Sequence, residues 1–253
     1  MTDKTSRVAI VTGASRGIGA AVAERLAADG LTVVINYSAN ARPAETLARE
    51  IEGKGGRALA IKADVADPVA VRAMFDAAAA AFGGVDVLVN NAGIMKLAKI
   101  SDSDDALFDE QVAVNLKGSF NAMREAGRRL RDGGRIVNFS TSVVGTRLET
   151  YGVYAATKSA IETMTAILSK EMRGRNITVN ALAPGPTLDR PVPRRQIART
   201  DRAPGEDESP RAARHAGGYR RRRLLPGRPG RRLDQRPGAA RQWRHGVSLT
   251  VRR

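Results

Sequence analysis

RVAIVTGASRGIGAAVAERLAADG, residues 7–30, runs from an apolar, β-branched stretch through a glycine-rich turn into a helical pattern. The run at 7–12 stops at Gly13 and predicts a buried strand. From 17 to 30 the apolar residues recur at helical spacing and a glycine closes the segment, which predicts a helix. Between the two, glycines at 13, 17 and 19 permit a tight turn, let main-chain N–H groups approach a pyrophosphate, and let the helix pack closely. The positive end of that helix would face the phosphates. Glycine spacing alone is also compatible with a plain strand–helix turn.

The alternation continues along the chain. Strands are predicted at 31–37 (LTVVINY), 57–65 (RALAIKADV), 85–93 (VDVLVNNAG), 134–140 (GRIVNFS) and 176–184 (NITVNALAP). Helices are predicted at 43–54, 68–82, 105–130 and 152–173. Continuous apolar strands, each followed by a helix, indicate an α/β domain with a doubly wound parallel sheet, the Rossmann fold, covered on both faces. Ligands are then expected at the carboxyl ends of the strands.

Composition narrows the chemistry. The 253 residues carry no cysteine, which removes thiolate and disulfide chemistry and fits a reducing, cytoplasmic setting. No apolar run is long enough to suggest a membrane span. Of the 42 basic residues, 19 are arginines at 188–253, against six acids there, so the net charge of +16 arises almost entirely in that tail. Both histidines, His215 and His245, also lie in it. Residues 1–187 therefore offer no Ser-His-Asp triad and no histidine metal ligand, and proton chemistry there falls to Tyr, Lys, Ser, Asn or carboxylates.

Strand-end motifs follow in order: NNAG at 90–93, VNLKG at 114–118, STS at 140–142, YAATK at 154–158 and PGPT at 184–187. Tyr154 and Lys158, at i and i+4, share one helix face. Together with the glycine turn, these motifs resemble the short-chain dehydrogenase/reductase family, particularly its 3-oxoacyl-reductase and sugar- or alcohol-dehydrogenase types, over residues 7 to about 187. The resemblance implies NAD(P)-dependent hydride transfer between a nicotinamide and a small carbonyl or alcohol, in a homodimer or homotetramer. It implies a catalytic set of Asn115, Ser142, Tyr154 and Lys158. Tyr154 would exchange a proton with the substrate oxygen, its phenol drawn toward phenolate by the Lys158 ammonium and the oxidised nicotinamide. Ser142 would orient the carbonyl, and Lys158 would also bind the nicotinamide ribose. Asn115 would hold a water that relays protons to Lys158, or else simply bend its helix. Ser140 is read as structural or cofactor-facing.

The implied cofactor contacts are Gly13, Ser15, Arg16, Gly17, Ile18 and Gly19 in the turn; Asn36, Tyr37 and Ser38 after the second strand; and Asp64 and Val65 beside adenine, where Asp64 could instead be a turn residue. Asn91, Ala92, Gly93, Tyr154, Lys158, Pro184, Gly185 and Thr187 complete the set, and no metal is implied. An acid at the end of the second strand would bind the ribose 2′-hydroxyl of NAD, but no acid follows Asn36 until Glu45, and Arg16 could pair with a 2′-phosphate. NADP(H) is therefore expected over NAD(H).

Residues 188–253 read differently. With suitable synonymous codons, residues 231–245 shifted by one base become DGWINGQVLRANGGM, which resembles a family C-terminus, and 193–201 and 212–230 shift comparably. A one-base frameshift near 187–189 is inferred, leaving 1–187 as the catalytic domain and 188–253 as an out-of-frame, disordered tail. Three readings follow: an active reductase, a reductase impaired by this tail, or a nucleic-acid binder acting through its arginines with Tyr219 and Trp243. The frameshift reading excludes nucleic acid as a partner.

Overall fold

The computed structural model describes residues 6–185. The tail at 188–253, its proposed disorder, the division at residue 187 and Thr187 itself lie outside the described residues. Six strands, β1 (Val8–Val11), β2 (Thr32–Tyr37), β3 (Arg57–Lys62), β4 (Val85–Asn90), β5 (Leu130–Phe139) and β6 (Thr178–Leu182), form one sheet in the order β3-β2-β1-β4-β5-β6. Every neighbouring pair is parallel. The helices are α1 (Gly17–Ala28), α2 (Ala41–Gly53), α3 (Pro68–Phe82), α4 (Asp105–Gln111), α5 (Gly118–Arg129), the short α6 (Val143–Thr146) and α7 (Gly152–Glu171). This is the expected doubly wound α/β architecture.

Strand alternation divides the core. Val8 and Ile10 of β1 enter a cluster with Val71, Met74, Phe75 and Ala78 of α3 and Ala122 and Ala126 of α5. Ala9 and Val11 enter the opposite cluster, with Ala23 and Ala27 of α1 and Ala44, Leu47, Ala48 and Ile51 of α2. α3 spans the residues expected of it. The Asp67 carboxylate accepts from Val69 N at 2.8 Å, Pro68 opens the first turn, and Gly83 at φ +78 ends the helix. Its fully buried Phe75 side chain contributes about 3 kcal/mol of apolar burial.

Several boundaries differ from the sequence reading for local reasons. α2 begins at Ala41 because Asn40 caps it, accepting from Arg42 N at 3.1 Å. β3 ends at Lys62, three residues early. The expected helix at 105–130 is two helices joined by a wide π turn, Val112–Lys117, with Asn115 buried inside it. α5 then starts at Gly118, where an added Cβ would stand 2.6 Å from Val65 Cγ2. β5 begins at Leu130 rather than 134, and a register shift on β4 between Val85 and Val87 absorbs the irregularity.

After β3 the chain returns to the other side of β1 and continues outward through β4 to β6. The carboxyl ends of β1 and β4, where the winding reverses, therefore open a crevice at the glycine turn.

Candidate active site

The glycine turn is held from two sides. Gly13 sits at φ +61 and Gly17 at φ +58, both in the left-handed region that favours glycine. The Thr12 hydroxyl accepts from Asn91 N and Ala92 N, each at 3.0 Å, while Asn91 Nδ2 donates to Thr12 O at 2.9 Å and Gly13 O at 3.1 Å. Thr12, absent from the sequence-derived set, thus fixes the turn to the end of β4. An added Cβ on Gly19 would meet Asn91 Nδ2 at 2.5 Å and Gly13 O at 2.6 Å, so α1 can approach the turn only with glycine there. Arg16 begins α1 without a side-chain cap bond, leaving the helix's first N–H groups to other partners. Ser15 and Ile18 are half-buried in this turn and Arg16 is exposed. This cradle fits a pyrophosphate.

Asn36 does not present its amide to a cofactor ribose. It is 1% exposed, its Oδ1 accepts from Gly13 N at 3.1 Å, and its Nδ2 donates to Ala63 O at 2.9 Å. It ties the turn to β2 and β3. Tyr37 is half-buried and Ser38 exposed beside it. Asp64 is exposed and its carboxylate accepts from Ala66 N at 2.9 Å, the turn role that the sequence left open. The Val65 side chain is buried against Gly118, and its carbonyl accepts from Asn121 Nδ2 at 3.0 Å.

On the other side of the crevice stand α7, the π turn and the end of β5. Asn115 is fully buried; its Oδ1 accepts from Ile94 N at 2.8 Å and its Nδ2 donates to Ile94 O at 2.9 Å. Its amide is therefore engaged on the loop after β4, and its Nδ2 also reaches Thr157 Oγ1 at 3.3 Å. A Cβ on Gly93 would lie 3.2 Å from Asn115 Oδ1 and 3.5 Å from Lys158 Nζ, which places those two side chains around one glycine. Lys158 is buried and its Nζ donates to Phe139 O at 2.8 Å, 5.8 Å from the centre of the Tyr154 ring. Burial lowers its ammonium to about 8.

Burial pushes the Tyr154 phenol above its ordinary 10, a hydrogen bond from Thr141 pulls the other way, and neighbouring Tyr151 adds to the rise. The expected lowering was to come from the Lys158 ammonium and the oxidised nicotinamide together; in the protein alone burial dominates, while one ammonium proton goes to the Phe139 carbonyl.

Of the three hydroxyls at 140–142, each has a separate fate. Ser140 is buried and donates to Glu162 Oε1 at 2.5 Å, so it is structural. Ser142 N donates to Pro184 O at 3.0 Å, joining β5 to the segment after β6, and its hydroxyl has no side-chain partner among the described residues. Thr141, which the sequence reading passed over, accepts from Val143 N at 3.3 Å through its hydroxyl oxygen. Pro184 and Gly185 close the described chain near this strand end.

A parallel sheet in 3-2-1-4-5-6 order, with a stapled glycine turn facing a Tyr–Lys helix, meets its counterpart in the family model for short chain dehydrogenases, which matches residues 7–195. The chain belongs to the short-chain dehydrogenase family. It is 47% identical over 190 residues to a short-chain type dehydrogenase/reductase of Picea abies, covering 71% of this chain and 70% of that one. It is 46% identical over 194 residues to an NADPH-dependent aldehyde reductase-like chloroplastic protein of Arabidopsis thaliana, covering 71% and 72%. Among solved structures, it is similar to a short chain dehydrogenase of Burkholderia cenocepacia J2315 in complex with NADP, at 45% identity and a TM-score of 0.68, covering 72% and 74%. Among the described residues of this short-chain dehydrogenase, no helix is long and apolar enough to cross a membrane.

Proposed function

We propose that this chain binds NADP(H) and moves a hydride between that cofactor and a small carbonyl or secondary alcohol, with Tyr154 as the general acid or base. The observation that carries the reading is the meeting of Asn115 and Lys158 at Gly93, one strand end away from the glycine cradle. The Arabidopsis relative's NADPH dependence and the NADP bound by the Burkholderia structure support the phosphorylated cofactor. So does the run from Asn36 to Ala44, which contains no carboxylate to compete with a 2′-phosphate.

When bound, the nicotinamide supplies or accepts the hydride. The Gly13–Gly19 turn and the N-terminus of α1 would hold its pyrophosphate, and Arg16 and Ser38, both exposed, would face the 2′-phosphate. Asp64 and Val65 stand where adenine would lie. Lys158 keeps two ammonium protons beyond the one given to Phe139 O, enough to reach a ribose hydroxyl. The free Ser142 hydroxyl would donate to the substrate oxygen. Tyr154, a neutral phenol whose ionisation burial opposes, would give its proton to a developing alkoxide. Asn115's main chain in the π turn would carry the water that refills the proton through Lys158.

The same reading treats 188–253 as out-of-frame sequence, so the 253-residue chain turns over poorly until the frame is restored. The cofactor assignment is tested by fluorescence titration of the chain with NADPH and NADH. Tighter binding of NADPH is expected; a clear preference for NADH would remove it.

A further inference from the structure

The peptide unit between Phe139 and Ser140 is gripped from three directions. β4 ends at Asn90, opposite Asn138, and the N–H of Asn91 goes to the Thr12 hydroxyl, so the carbonyl of Phe139 lies past the β4–β5 ladder. It accepts from Lys158 Nζ at 2.8 Å instead. At the other end of the same planar unit, Ser140 N donates to Leu182 O of β6 at 2.7 Å. The third grip is the buried Ser140 hydroxyl, which donates to Glu162 Oε1 at 2.5 Å. Glu162 stands four residues after Lys158 on α7, so both side chains rise from one helix face. One turn of α7 therefore holds the strand end twice, by an ammonium on the carbonyl and by a carboxylate on the next hydroxyl. The proposed chemistry uses the first and leaves Glu162 without a role.

We propose that Glu162 is a positioning residue: through Ser140 it fixes the carbonyl of Phe139, and so fixes where the Lys158 ammonium stands beside Gly93. The proposal rests on the reading that Lys158 belongs to the reaction site. A hydroxyl donating to a carboxylate makes a strong bond, and the planar peptide passes that constraint from Ser140 to the carbonyl of Phe139. Lys158 Nζ lies 3.5 Å from the point where a Gly93 Cβ would stand, so a turn of that carbonyl would swing the ammonium away from the loop that follows β4. Glu162 acts by its bond to Ser140 rather than by its charge, since it forms no ion pair among the described residues.

The experiment is a pH titration, by NMR, of the full chain carrying 13Cε-labelled lysine, the Lys158 resonance being assigned by its loss in Lys158→Met. Ser140→Ala keeps the carboxylate and removes the bond. It should make the Lys158 ammonium about threefold stronger as an acid, because the carbonyl that favours its charged form is loosened. Glu162→Leu should match it, and if that variant unfolds, Ser140→Ala carries the same expectation. Glu162→Gln keeps an acceptor for Ser140 while removing the charge, and should titrate closer to wild type than to Ser140→Ala. Thr165→Val cuts the neighbouring link between β5 and α7, in which Asn138 Nδ2 donates to Thr165 Oγ1 at 2.8 Å, and should leave Lys158 at its wild-type titration. An unmoved or raised Lys158 titration in folded Ser140→Ala, or an equal fall in Glu162→Gln or Thr165→Val, overturns the proposal. NADPH binding by Lys158→Met as tight as wild type, read by fluorescence titration, would instead remove Lys158 from the cofactor site, a separate outcome.

Discussion

Lys158 Nζ donates to the main-chain oxygen of Phe139 at 2.8 Å, so the buried ammonium of α7 is fastened to the end of β5. This one bond fixes the distance between the helix that carries Tyr154 and the strand end that carries Thr141 and Ser142. It also holds a charge where water is largely excluded, and that has a cost readable in pH.

Burial lowers Lys158 from 10.5 to about 8 in the folded chain, while the unfolded chain keeps the ordinary value. Between pH 8 and 10.5 the unfolded state thus binds more protons, and stability rises with pH across that window. Below pH 8 the buried charge costs about 3 kcal/mol, partly offset by the bond to Phe139. Lys158→Met is expected to be more stable than wild type by about 1–2 kcal/mol at pH 7, with the gap closing toward pH 10.5. Urea unfolding at both pH values checks this; a gap that widens with pH would contradict it.

Gly19→Ala brings a methyl group to 2.5 Å from Asn91 Nδ2 and 2.6 Å from Gly13 O. The turn must open and its staples to β4 must loosen, at about 1–3 kcal/mol. NADPH binding should weaken by at least tenfold in the same variant, measured by fluorescence titration. An unchanged affinity would show that the cradle is not where the cofactor sits.

Asn36 separates structure from specificity. Asn36→Asp places an acid at the end of β2, the change expected to favour NAD were this side chain facing the ribose. Being buried between Gly13 N and Ala63 O, the aspartate instead loses the donor to Ala63 and destabilises the chain by about 2 kcal/mol without reversing cofactor preference. Thermal unfolding and paired titrations with NADPH and NADH read the two effects independently.

Much of this molecule was legible in its residues. Apolar runs ending at Gly13 and Asn90 announced parallel strands, and the i,i+4 spacing of Tyr154 and Lys158 placed both on α7 near the strand ends. Other features depended on three-dimensional neighbours. Asn115 opens a π turn because the loop at Ile94 offers both a donor and an acceptor to its amide, and no local propensity in VNLKG encodes that. Asn36 looked like a ribose ligand because strand-end position is visible in sequence, whereas its burial beneath Gly13 is not. Within the stretch STS the resemblance and the spacing to Tyr154 assigned Ser142 to the carbonyl and Ser140 to a structural or cofactor-facing role, without saying where each side chain points. The structure supplies that direction: Ser140 meets Glu162, Thr141 accepts from Val143 N, and the Ser142 hydroxyl is left open among the described residues. Thr12 carried a quieter signal, a hydroxyl immediately before the first glycine of the turn.

The central claim is that residues 6–185 are the core of an NADP(H)-dependent reductase whose proton donor is Tyr154. Carbonyl-dependent oxidation of NADPH, followed by absorbance in the frame-restored chain and its Tyr154→Phe variant, tests it most directly. Turnover with NADPH that falls by about 100-fold or more in the variant is the expected result. A variant that turns over like its parent, or a restored and folded chain that oxidises NADH in clear preference to NADPH, would contradict it.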